Sequence, residues 1–239
     1  MAATGERGAG EADRSTRLGL PRFRFERGLH ELGRGLHAWL QPDGSWGWSN
    51  AGLVVDGDES LLVDTLFDLR LTRAMLDAMR RAEPKATRRI GQLVNTHANG
   101  DHCFGNQLVP GVDVITSAAT AAEMHELPPA RLAAMMNADF GDTTNAYIQE
   151  AFGAFTFTGI DPPRPTRTFS GELDLIQPGR WATLIEVGPA HTAGDVLVHL
   201  PDKRVIFTGD ILFVEGTPIV WAGPVQNWID ACRRIIDLD

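Results

Sequence analysis

The 239-residue chain is 43% hydrophobic, enough for one large domain or two small ones with a real core. Its formal net charge of −9 leaves no basic footprint for nucleic acid or an anionic membrane, and no apolar run nears the roughly 18 residues of a membrane span. Two cysteines, Cys103 and Cys232, are too few for a disulfide framework and suit a reducing compartment. Residues 1–20 begin small, polar and charged, without the apolar stretch of a signal peptide. They read as a disordered leader to a cytoplasmic protein whose one domain runs over 21–239.

Residues 23–41 alternate loosely, with Phe23, Phe25, Leu36, Ala38 and Leu40, as one or two opening strands. Trp46-Gly47-Trp48-Ser49-Asn50 follows as a loop bearing two tryptophans. Apolar runs at 51–55 and 60–64 flank Asp56-Gly57-Asp58-Glu59, which predicts a β-hairpin. Leu71, Met75 and Met79 recur at fourfold spacing with Leu76 beside them. That predicts an amphipathic helix over Leu69–Ala82, stopped by Pro84. Strands are expected at 90–95 and 112–115. Residues 117–154 are helical in pattern, with Pro128-Pro129 separating two helices and Pro129 near the start of the second. Beyond Pro162, Pro163 and Pro165, strands are expected at 168–169, 173–176, 182–187, 196–200 and 204–207. A closing helix over 228–238 carries Ile229, Cys232, Ile235 and Ile236 on one face. This order predicts an α/β layered domain with two sheets.

Three strand ends carry side chains suited to metal. The first is Thr96-His97-Ala98-Asn99-Gly100-Asp101-His102, directly after an apolar strand. A tight turn there, with Gly100 providing backbone freedom, aims His97, Asp101 and His102 into one small volume. The second is His191, in the loop Gly188-Pro189-Ala190-His191-Thr192-Ala193-Gly194-Asp195. The third is Asp210, at the mouth of Val205-Ile206-Phe207-Thr208-Gly209-Asp210. Imidazole and carboxylate are the usual ligands of zinc and similar divalent ions.

With these pieces the chain resembles the metallo-β-lactamase-fold hydrolase superfamily, whose first motif runs His-x-His-x-Asp-His. Residues 97–102 match it at every position but the second His, where Asn99 stands. His191, in a His-Thr-x-Gly-Asp setting, corresponds to the next metal-binding His. Asp210, in Thr-Gly-Asp, corresponds to the bridging carboxylate, and the 51–64 hairpin to the opening sheet. The resemblance covers residues 22–239 and implies a four-layer αββα sandwich. It also implies one or two zinc ions, or iron or manganese, held by His97, Asp101, His102, His191 and Asp210. Hydroxide formed on the metal would attack an ester, thioester or lactone, with Asp101 as the catalytic residue that also holds the nucleophile's proton. Asn99 is expected as a weak ligand, or as a group that orients substrate or a ligand from behind. In the superfamily a further strand and a Pro-Gly-His-Gly-like loop follow the last helix. The chain stops at Asp239, so the fold is expected to lack its C-terminal strand and helix, along with a ligand, and to be marginally stable.

Around this centre, Asp64, Thr192 and Asp195 are expected behind the ligands, and 117–165 as a helical lid. The lid's methionines and phenylalanines either line an apolar pocket or pack its own small core. Trp46 and Trp48 are expected as the opposite wall. Glu215-Gly216-Thr217-Pro218 reads as a loop near the centre. Cys103, beside His102, is not expected to act as a nucleophile. His30, His37, His125 and His199 read as surface or packing residues. The expected partner is a small-molecule substrate, with no nucleic acid and no membrane; a homo-oligomer stays open. The alternatives are an iron-dependent redox member of the superfamily and a non-catalytic, metal-poor homologue.

Overall fold

The computed structural model describes residues 26–33, 35–43, 45–177, 180–214 and 216–238. The expected leader, Phe23, Phe25 and Glu215 lie outside the described residues.

One sheet takes seven strands in chain order: β1 (Gly28–Gly33), β2 (Leu36–Leu40), β3 (Ala51–Asp56), β4 (Glu59–Val63), β5 (Gln92–Val94), β6 (Asp113–Ser117) and β7 (Arg167–Phe169). β3 and β4 form the expected hairpin, with Leu53 opposite Leu62 and Val54 opposite Leu61. From β4 to β7 the strands are parallel, so their C-terminal ends share one edge. The second sheet is antiparallel, in the order β11-β10-β9-β8. Its strands are β8 (Glu172–Gln177), β9 (Arg180–Glu186), β10 (Val196–Leu200) and β11 (Val205–Phe207).

Period-2 alternation decides the layering. Leu36, Val54, Leu61, Val63, Val94 and Ile115 of the first sheet pack against Leu175, Leu184, Val196 and Val198 of the second. Their neighbours Leu53, Val55, Leu62 and Leu93 face the other way, onto a core shared with α1 (Leu69–Ala82). Leu71, Met75, Leu76 and Met79 fill that core, and Asp68 caps the helix by accepting from the Leu71 N–H at 2.7 Å. On the far side, Ile185 and Leu197 meet Trp228 and Ala231 of α6 (Val225–Ile236). Helix, sheet, sheet and helix are thus stacked as four layers, as the resemblance implies.

Four further α-helices lie among the described residues: α2 (Gly100–Cys103), α3 (Ala118–Glu123), α4 (Pro129–Met136) and α5 (Asp142–Phe152). The 117–154 segment holds one helix more than expected. α4 stops at Asn137, and Gly141, at φ 85°, re-aims the chain into α5. Met124, Leu132, Phe155, Phe157 and Ile160 join the same core as α1, so this segment forms part of the outer layer over the first sheet. α6 begins three residues before the expected start, directly after Pro224, whose extended backbone sets the helix entry. Among the described residues no helix is long and apolar enough to cross a membrane.

Candidate metal centre

The centre is built on the shared edge of β4 and β5. Asp64 follows β4 with a left-handed φ of 64° and is 2% exposed. A non-glycine residue holds that conformation only where its surroundings demand it. Here the demand is three hydrogen bonds. Oδ1 accepts from the Thr96 N–H at 2.7 Å, and Oδ2 accepts from the Thr96 hydroxyl at 2.7 Å and from His102 Nδ1 at 2.9 Å. The Thr96 hydroxyl has one proton and gives it to Asp64, so it accepts from His97 Nδ1 at 3.0 Å. Each imidazole therefore turns Nε2 away from this network. The His102 carbonyl is held in turn by the Thr65 N–H and the Asn95 amide, each at 2.9 Å.

Gly100 serves differently than expected. Its φ is not left-handed; it opens α2, where a Cβ would lie 2.5 Å from the Phe104 ring. The position requires space rather than a special turn. Next to it, the Asp101 carbonyl accepts from the Ser49 hydroxyl, which anchors the β2–β3 loop to the centre. The Cys103 thiol is buried against the Ala98 and Asn99 carbonyls, and burial pushes its pKa well up. That shift favours the thiol over the thiolate.

The second sheet contributes His191 and Asp210. Asp195 accepts from the Thr192 N–H and hydroxyl and from the Ala190 N–H, which fixes the turn around His191. His191 Nδ1 donates to the Ile219 carbonyl at 2.7 Å, and the His191 carbonyl accepts from the Trp221 N–H at 2.9 Å. Gly209, at φ 50°, lets Asp210 close on the first sheet; a Cβ there would sit 2.7 Å from the Thr96 hydroxyl.

These elements converge. His102 Nε2 lies 3.1 Å from Asp210 Oδ1 and 3.7 Å from Asp101 Oδ2, and His191 Nε2 lies 3.5 Å from Asp210 Oδ2. The His97 ring centroid is 4.1 Å from that of His102 and 4.9 Å from that of His191. Asn99 Nδ2 sits 3.0 Å from His191 Nε2. His97, His102 and Asp210 each offer one ligand atom, all within 4.8 Å of one another.

Two observations fit a cation. First, Nε2 of His97 is buried without a hydrogen-bond partner, and Nε2 of His102 is buried facing the Asp210 carboxylate at 3.1 Å. Buried polar atoms left unpaired are costly. Second, the carboxylates call for positive charge. Burial opposes a charge on His102, but Asp210, Asp101 and Asp64 together raise its pKa well above the usual imidazole range. Burial and the neighbouring His102 hold His97 well below that range, hence neutral. The Asp210 carboxyl is held down by His102 against the effect of burial, whereas burial pushes Asp101 up. A divalent ion would supply positive charge here, and imidazole nitrogen with carboxylate oxygen is a donor set that zinc takes.

Trp46 belongs to an aromatic cluster. The Trp46 ring lies 6.1 Å from Trp221 and 6.4 Å from Phe152. Trp46 is 39% exposed and Trp221 56%. Trp48 turns the other way, onto Phe155 at 5.0 Å and beneath the Arg27 guanidinium at 4.3 Å. From the sequence, Ser49 and Trp221 carried no assigned role, Phe152 was covered only among the lid's phenylalanines, and Thr96 only as the residue that opens the first loop. Only Thr96, adjacent to His97, had a positional signal there.

A family profile described as the Metallo-beta-lactamase superfamily matches residues 44–239. Hydroxyacylglutathione hydrolase of Cereibacter sphaeroides is 23% identical over 146 residues, 61% of this chain and 43% of that enzyme. The human acyl-coenzyme A thioesterase MBLAC2 is 24% identical over 223 residues, 87% of this chain and 74% of that one. The chain thus spans less than half the length of the bacterial relative. Among solved structures, a metallo-beta-lactamase from Pontibacter korlensis superposes with a TM-score of 0.62 at 19% identity, covering 88% of this chain and 85% of that one. The sec-alkylsulfatase Pisa1 from Pseudomonas sp. gives a TM-score of 0.65 at 18% identity, covering 88% of this chain and 36% of that one. These structural likenesses carry the fold; the profile carries the family. The chain belongs to the metallo-beta-lactamase superfamily.

Proposed function

We propose that this protein is a metal-dependent hydrolase of acyl esters, with small to medium thioesters as the favoured substrates and lactones as the runner-up. The observation that carries the reading is the pinning of all three imidazoles through Nδ1, to Asp64, to Thr96 and to the Ile219 carbonyl. That leaves three Nε2 atoms turned towards Asp210. A bound zinc, iron or manganese ion would lower the pKa of water towards about 7 and polarise the acyl carbonyl.

The chain's own residues do the rest. His97, His102 and Asp210 would hold the ion, with Asp101 and His191 at its flanks. Asp101, whose pKa burial raises, would take the proton that attacking water gives up and pass it to the departing thiolate or alkoxide. The exposed faces of Trp46 and Trp221 offer an apolar surface to the acyl group. The names of the two relatives, a hydroxyacylglutathione hydrolase and an acyl-coenzyme A thioesterase, support a thioester. A cytoplasmic location belongs to the same proposal, supported by two free cysteines.

The test is metal analysis of the purified protein, followed by ester, thioester and lactone panels. His102→Ala and Asp210→Ala are expected to abolish hydrolysis. Either variant retaining most of the rate overturns the assignment, and iron with oxygen consumption would replace it with a redox function.

A further inference from the structure

We propose that Ser117, Thr120 and Glu123 are positioning residues for His191, gripping the main chain of Ala193 and Gly194 so that the imidazole just upstream reaches the centre. The proposal rests on the metal-dependent reading above and concerns which groups set the place of one residue at the flank of the ion.

The three side chains recur at threefold spacing, so they share one face of the α3 region. Ser117 ends β6 and caps α3, its hydroxyl accepting from the Thr120 N–H at 3.0 Å. The Ser117 and Thr120 hydroxyls are both buried, and each donates to the Gly194 carbonyl at 2.7 Å. Two donors use both lone pairs of that carbonyl, which leaves the peptide one way to sit. Glu123 Oε2 accepts from the Ala193 N–H at 2.9 Å. Gly194 permits the approach: a Cβ there would collide with the Ser117 hydroxyl and the Thr120 N–H.

The grip falls where no strand holds the chain. Residues 187–195 join β9 to β10 and belong to neither. Within this loop the Asp195 carboxylate accepts from Ala190 and Thr192, which fixes the shape of the turn. Those bonds move with the turn and do not fix where it lies. The α3 region supplies that second constraint from the first sheet. It follows β6, whose parallel neighbour β5 leads into the loop carrying His97 and His102. Both groups of imidazoles are thereby referred to one sheet.

The experiment is zinc affinity of the full chain by chelator competition, with urea denaturation of the same variants. Glu123→Ala and Thr120→Val each remove one bond and should weaken zinc about tenfold, the lower end of the cost for groups behind the ligands. Glu123→Gln keeps an acceptor and Thr120→Ser keeps a hydroxyl, so both should stay within about twofold of the wild type. Glu123 is only half-buried, so its pair of variants decides the matter if Thr120→Val fails to fold. Zinc affinity unchanged in Glu123→Ala, whether or not urea stability falls, overturns the proposal and leaves the metal-dependent reading standing. An equal loss in Glu123→Gln also overturns it, since the bond would not be what matters. No zinc on the wild-type chain overturns the metal-hydrolase reading itself, and this proposal with it.

Discussion

Asp64 Oδ2 accepts from His102 Nδ1 at 2.9 Å and from the Thr96 hydroxyl at 2.7 Å, and Thr96 in turn holds His97. One buried carboxylate thus sets the tautomer of both imidazoles on the first loop. Asp64→Asn should lower zinc affinity about 10- to 100-fold with the fold retained, since an amide can hold only part of this network. Competition with a chromophoric chelator measures it. Affinity within twofold of the wild type would remove Asp64 from the design of the centre.

The same carboxylates make metal uptake pH-dependent. Asp210, Asp101 and Asp64 raise His102 above its ordinary 6.5 against the opposing effect of burial. Below that raised pKa the ring carries a proton on Nε2, and an incoming ion must displace it. Loading should release about one proton at neutral pH, and apparent affinity should climb with pH until His102 is neutral. His97, held below its ordinary value, is neutral already and adds no proton. Calorimetry in buffers of differing ionisation enthalpy reads the proton count. Uptake without proton release near neutrality would show that His102 is already free.

Asp68 holds the outer layer together. Its carboxylate accepts from the Leu71 N–H at 2.7 Å and from the Thr156 N–H at 3.3 Å, so it both caps α1 and ties down the segment after α5. Asp68→Ala should destabilise the fold by about 1–2 kcal/mol in urea denaturation, leaving zinc affinity unchanged. A loss under about 0.5 kcal/mol, the scatter of a surface substitution, would mean that the cap contributes little.

What the sequence shows clearly is what local pattern determines. Leu71, Met75 and Met79 mark α1 to the residue, because fourfold spacing and a following proline leave little choice. The candidate ligands were legible because each sits at a strand end, where side chains converge. Contacts between distant segments were not. Asn99 meets His191 across 92 positions, and no spacing rule predicts that pairing. Gly100 suggested a turn, but the space taken by Phe104 decides the position. Trp46 and Trp48 look equivalent in the sequence. Only the fold sends one to Trp221 and the other to Phe155.

Trp221 offers the sharpest test of substrate class. Its ring is more than half exposed and touches Trp46, while its main-chain N–H holds the His191 carbonyl. Alanine keeps that N–H, so Trp221→Ala removes the apolar face without releasing His191. Burying a large apolar side chain is worth about 1.5–3 kcal/mol, so losing part of that surface should raise KM for a long-chain acyl thioester roughly tenfold. KM for an acetyl thioester, too short to lie across both tryptophans, should stay unchanged, as should kcat and thermal stability. Parallel losses on long and short chains would assign Trp221 to the support of His191 alone. No loss on either would put the acyl group elsewhere.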